Sequence, residues 1–106
     1  MSSFDEYQTA AIRTFRRVPG AENAQLASMT LGLAGEMGEV AEHVKKFLAH
    51  GRELDVLHMK AELGDVLWYI TILGELCGLN LQSIAQHNID KLKARYPNGF
   101  TAEIRK

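Results

Sequence analysis

The chain has 106 residues, 46% of them hydrophobic and 24% charged, with a net charge of -1. That balance suits one folded domain, and without a basic block it argues against nucleic-acid binding by charge. The single Cys77 excludes an internal disulfide, and no run of about 18 apolar residues is present to span a bilayer.

The N-terminal Met1-Ser2-Ser3-Phe4-Asp5-Glu6 lacks the charged and apolar regions of a signal peptide, so a cytoplasmic location is expected. A domain of this size has a thin stability margin, and self-association would bury more apolar surface. Few breakers occur: Pro19-Gly20, Gly51, Gly78 with Asn80, and Pro97-Asn98-Gly99. Between them the apolar periodicity is helical, so the predicted fold is all-α, a four-helix bundle-type single domain over 1–106.

A first helix is predicted from about Ser3 to Val18, capped by Ser3 with Asp5 and Glu6 near its positive end. Phe4, Tyr7, Ala11 with Ile12, and Phe15 form its apolar stripe, and Arg16 and Arg17 its last turn. A long second helix runs from about Asn23 to Ala49, with Leu26, Met29, Leu33, Met37, Val40, Val44 and Phe47 at helical period. Gly32, Gly35 and Gly38 also recur within it. Interior glycines cost about 1 kcal/mol each relative to alanine, so they mark close approach of a neighbour, room for ions and phosphate, or both.

His50-Gly51-Arg52-Glu53 is short enough to make helices two and three an antiparallel hairpin. The third helix is expected from about Leu54 to Cys77, with Leu57, Ala61, Val66, Ile70, Leu73 and Leu76 in the core and Cys77 an inert, half-buried thiol. Asn80 caps a fourth helix from about Leu81 to Arg95, with Leu81, Ile84, Ala85, Ile89 and Leu92 inward. Pro97 to Lys106 reads as irregular.

Two acid pairs carry the chemistry. Glu36 and Glu39 on helix two, and Glu62 and Asp65 on helix three, each stand three residues apart on one helical face. Counted from the hairpin centre at a rise of about 1.5 Å per residue, Glu39, Glu62 and Asp65 come to nearly the same height, with Glu36 about a turn beyond. Four converging carboxylates repel unless a cation lies among them, and hard oxygen donors suit Mg²⁺ or Mn²⁺. Zinc is disfavoured because His43 and His58 lack ligand spacing, and a di-iron site would want Glu-x-x-His pairs. His43 and His58 extend the acid stripes and read as solvated or outer-sphere groups. Glu42, Lys45 and Lys46 read as a solvated face.

Asn88, Lys91 and Arg95 share one face of helix four, followed by Tyr96. This is either a polar surface or a donor stripe for a polyphosphate. Tyr69 either stacks on a base or packs, and Trp68 packs.

With Gly35-Glu36-x-x-Glu39 and Glu62-x-x-Asp65-x-x-Trp68-Tyr69 in place, the chain resembles the MazG-like all-α nucleoside triphosphate pyrophosphohydrolases. The likeness extends from Phe4-Asp5-Glu6-Tyr7-Gln8 through Leu31-Gly32-Leu33 to Asn88-x-x-Lys91-Leu92-x-x-Arg95-Tyr96-Pro97. The resemblance implies Mg²⁺ held by Glu36, Glu39, Glu62 and Asp65. It implies cleavage of nucleoside triphosphates between the α and β phosphates, with Glu39 activating water. It also implies a nucleotide site near Asn88, Lys91, Arg95 and Tyr96, and assembly as a dimer or tetramer. The implied role is removal of aberrant or surplus nucleotides, with dUTP, dCTP or guanosine polyphosphates as open substrate choices. The rival reading is a non-catalytic helical interaction protein whose acids are surface charge.

Overall fold

The computed structural model describes residues 3–99. Among them are four helices, α1 (Phe4–Ile12), α2 (Glu22–Ala49), α3 (Val56–Leu76) and α4 (Leu81–Arg95). The all-α expectation holds, and α2 and α3 form the dominant packed pair. The second packing group joins α1, α3 and α4, and α4 makes no contact with α2. Helix α3 is therefore shared between two layers.

The ends of the helices follow from local chemistry. Ser3 accepts from Glu6 N–H at 3.1 Å and Asn80 from Ser83 N–H at 2.7 Å, capping α1 and α4 as expected. Asp55 caps α3 by accepting from His58 N–H at 3.0 Å. Helix α3 stops at Gly78, whose φ of 76° suits a residue without Cβ. There Gly78 N–H reaches Glu75 O at 3.1 Å and Leu79 N–H reaches Gly74 O at 2.8 Å, a Schellman closure.

Helix α1 ends six residues before the expected Val18. Thr14 Oγ1 donates to Ala11 O at 2.6 Å, and Gln25 from α2 then holds the extended chain, donating to Arg16 O at 2.8 Å and accepting from Val18 N–H at 3.2 Å. Val18 also precedes proline, which disfavours the helical region. Arg16 and Arg17 therefore lie outside the helix rather than in its last turn.

The fully buried apolar set among the described residues is Ala11, Ile72, Leu76 and Leu81, at the meeting of α1, α3 and α4. Several expected core positions fall elsewhere. Leu57 is 77% exposed, Ala61 is exposed, and Ile89 and Leu92 are 44% and 46% exposed. On α2 no residue is fully buried, and Met37 and Phe47 are exposed. Cys77 is exposed rather than half-buried because it is the C-cap, one residue past the packed Leu76.

One buried polar group joins three helices. Gln8 of α1 donates through Nε2 to Glu75 Oε1 at 2.8 Å, and its Oε1 accepts the Leu81 N–H at the first turn of α4. Gln8→Leu keeps the volume but strands that buried N–H and the Glu75 carboxylate. It is expected to cost about 1–3 kcal/mol, read as a lower denaturant midpoint at unchanged m-value.

Candidate metal centre

The antiparallel packing of α2 on α3 brings Glu36 and Glu39 toward Glu62. One carboxylate oxygen from each lies within 4.8 Å of the others. Glu62 is buried at 6% exposure, Glu36 is half-buried and Glu39 is exposed, so the cluster opens from the helix interface to solvent. Asp65 stands outside this group and is exposed. Its charge is nonetheless felt at both Glu36 and Tyr7. The sequence therefore places all four acids in one neighbourhood, three of them in ligand range of a shared point.

Three observations fit a divalent cation. The donors are all carboxylate oxygens, the set preferred by Mg²⁺ and Mn²⁺. Among the described residues no lysine or arginine pairs with any of the four acids; the one ion-pair contact is His58 Nε2 to Glu62 Oε1 at 3.4 Å. That Oε1 is buried with no hydrogen-bond partner, a costly state for an anion unless a positive ligand meets it.

Burial first, and then the facing carboxylates of Glu39, Asp65 and Glu62, push the Glu36 carboxyl above its ordinary value. A raised value in the folded state means the native protein holds that proton more tightly than the unfolded chain. Stability from this group is therefore fullest below the ordinary Glu value of 4.5 and is lost as pH rises through the raised one. Melting of the metal-free protein across this range is expected to show that decline, and Glu36→Gln to flatten it. An unchanged slope in the variant would reject the assignment.

Tyr69 lies against the α2 backbone at Gly32, where a Cβ would run into its ring. Close approach thus explains Gly32, whereas Gly35 and Gly38 face open space. Trp68 packs, donating Nε1–H to Thr14 Oγ1 at 2.8 Å and meeting Phe15 edge-on at 6.3 Å and Tyr69 edge-on at 5.0 Å. Asn88, Lys91 and Arg95 are exposed on α4 and are not brought against α2. They continue the helical face of Ile84, which packs on α3 at Gly74. Tyr96 is the half-buried C-cap of α4, its N–H donating to Leu92 O at 2.7 Å.

One neighbour of the centre was not legible as such. Tyr7 of α1 has its phenol pushed up, by burial first and then by Asp65. It also lines an apolar cleft of about 470 Å³ with Phe4, Leu67, Ala85 and Ile89. Helical periodicity marked Tyr7 as inward without showing which helix it meets. His58, expected on the acid stripe as a solvated or outer-sphere group, stands one turn before Glu62 with its Nε2 3.4 Å from Glu62 Oε1.

The family model for the MazG nucleotide pyrophosphohydrolase domain matches residues 24–100. The chain is 38% identical to the Gene 37 protein of Mycobacterium phage L5, over 90% of each chain. No solved structure gives a significant match.

Proposed function

The chain belongs to the MazG nucleotide pyrophosphohydrolase family, and from that membership and the carboxylate cluster we propose a divalent-ion-dependent nucleoside triphosphate pyrophosphohydrolase. Water attacks the α phosphorus of a (deoxy)nucleoside triphosphate and the P–O bond between the α and β phosphates breaks, giving the monophosphate and releasing pyrophosphate. The observation that carries this reading is the convergence of Glu36, Glu39 and Glu62 around a buried, unpartnered oxygen.

Glu36, Glu62 and Asp65 would hold Mg²⁺, with Mn²⁺ able to replace it; when bound, the ion would acidify water and offset charge on the phosphoryl oxygens. Glu39, the most open acid of the close trio, orients the attacking water and takes its proton, a role resting on the family resemblance. Lys91 and Arg95 meet the leaving pyrophosphate, with Asn88, Tyr96 and Tyr69 around the nucleotide. Asn88, Lys91 and Arg95 are supported by the helical face they share with Ile84, which packs on α3 at Gly74, and Tyr96 and Tyr69 by the family resemblance. The whole chain acts as one domain, assembled as a homodimer or tetramer, in nucleotide house-cleaning in the cytoplasm.

The test is a panel of common and modified triphosphates, including dUTP, dCTP and guanosine polyphosphates, incubated with Mg²⁺ and scored for pyrophosphate against orthophosphate. Pyrophosphate with monophosphate, abolished by chelation, is expected. Orthophosphate alone, or no release from any member, overturns the proposal. Among the described residues no helix is long and apolar enough to cross a membrane.

A further inference from the structure

One turn from the carboxylate cluster, toward the hairpin loop, lies a layer of two imidazoles. His43 follows Glu39 by four residues on α2, and His58 precedes Glu62 by four on α3. Their rings are 5.0 Å apart between centroids and tilted by 39°. His43 Nε2 accepts the Asp55 N–H at 3.1 Å, which puts its own proton on Nδ1. The Asp55 side chain in turn caps α3 at His58 N–H. His58 is thus seated by its backbone and by its ring, and its Nε2 points to Glu62 Oε1 at 3.4 Å.

That separation is longer than a formed hydrogen bond, and Oε1 has no other partner. A small rotation of either side chain closes it. His58 Nε2 does not fall within the group of donor atoms that converge from Glu36, Glu39 and Glu62. It reaches Glu62 without reaching the shared point, which is the place of a group that orients a ligand rather than one that binds the ion. We propose that His58 is a positioning residue for the metal centre, donating to Glu62 Oε1 and so fixing the plane of that carboxylate, with His43 and Asp55 holding His58 in turn.

The inference rests on the metal-centre reading above and goes beyond it to a residue outside the acid motifs. Outer-sphere partners of this kind are typically worth about 10–100-fold in metal affinity. The experiment measures Mn²⁺ binding without nucleotide, from the electron paramagnetic resonance signal of the free ion. His58→Leu is expected to weaken binding about ten-fold, at the low end of that range, with helicity by circular dichroism unchanged. His58→Gln, which keeps an N–H donor within reach of Glu62, is expected to recover most of the loss. In turnover, the loss falls on the Mg²⁺ concentration at half-maximal rate more than on kcat at saturating metal.

Equal Mn²⁺ affinity in His58→Leu and the wild type overturns the role of His58 while leaving the centre intact. Equal losses in the Leu and Gln variants overturn it too, because the donor then does not matter. A directly coordinated nitrogen coupling in pulsed spectra overturns it in favour of ligation. No Mn²⁺ binding by the wild type overturns the centre itself.

Discussion

Glu39→Gln is expected to lower kcat by about 10²–10⁴-fold, the range for loss of a positioned general base, while leaving the fold unchanged. Glu39 is exposed and makes no hydrogen bond within the described residues, so an isosteric amide there disturbs no packing and strands no partner. The amide cannot accept the proton of the attacking water. It also removes one negative charge from a cluster whose oxygens lie within 4.8 Å of one another, so metal binding weakens as well. Rates must therefore be compared at saturating Mg²⁺. A loss below ten-fold under those conditions would reject Glu39 as the base.

Asp65→Asn separates the two roles. Asp65 lies outside the close trio, and its loss should weaken Mg²⁺ binding by calorimetry without the same fall in kcat. Glu62→Gln differs again. Its Oε1 is buried without a partner, so neutralising it removes a repulsive buried charge from the metal-free protein. The variant should melt at a higher temperature than the metal-free wild type and no longer respond to Mg²⁺. If all three variants behaved alike, the acids would be acting as undifferentiated surface charge, as the non-catalytic reading requires.

The parts of this molecule that were legible in the sequence are those set by near neighbours in the chain. Ser3 and Asn80 cap because their side chains meet the N–H three residues on. The acid pairs meet because a short loop forces α2 and α3 antiparallel, and height along a hairpin can be counted. Rotation about a helix axis is harder to count when apolar residues surround it. From Val66 to Leu76 nearly every position of α3 is apolar, and the helix packs on α2 on one side and on α1 and α4 on the other. Periodicity then favours no face. Ile72 and Thr71, at 0% and 1% exposure, were missed, and Leu57 was misplaced. The early end of α1 was hidden for another reason: besides Thr14 and the proline after Val18, the chain past the helix is held extended by Gln25, which lies on another helix. The approach of Tyr7 to Asp65 likewise depends on how α1 docks on α3, which no local pattern encodes.

Leu31→Glu is expected to weaken self-association by about 10²–10⁴-fold. The chain is long for its mass: its radius of gyration is 17.0 Å, against about 13 Å for a compact domain of this length. On the side of α2 turned away from α3 runs a second stripe: Ala24, Ala27, Leu31, Ala34, Gly38, Ala41 and Leu48, all exposed. Their spacing alternates threes and fours, interrupted only by Lys45, which is the seam of a helix that packs on another helix. Small residues along such a seam let two backbones approach closely. Leu31 and Leu48, each 73% exposed, are its large apolar members. Burying one leucine is worth about 1.5–3 kcal/mol, and a two-fold interface buries it twice. The sum of about 3–6 kcal/mol gives the stated range at about 1.4 kcal/mol per decade. In a chain that stays monomeric, the same substitution at a 73% exposed site should change stability by no more than about 0.5 kcal/mol. Sedimentation equilibrium and thermal melting of Leu31→Glu therefore give opposite answers under the two cases. A wild type that sediments as a monomer, with a variant of unchanged melting temperature, would reject assembly through α2.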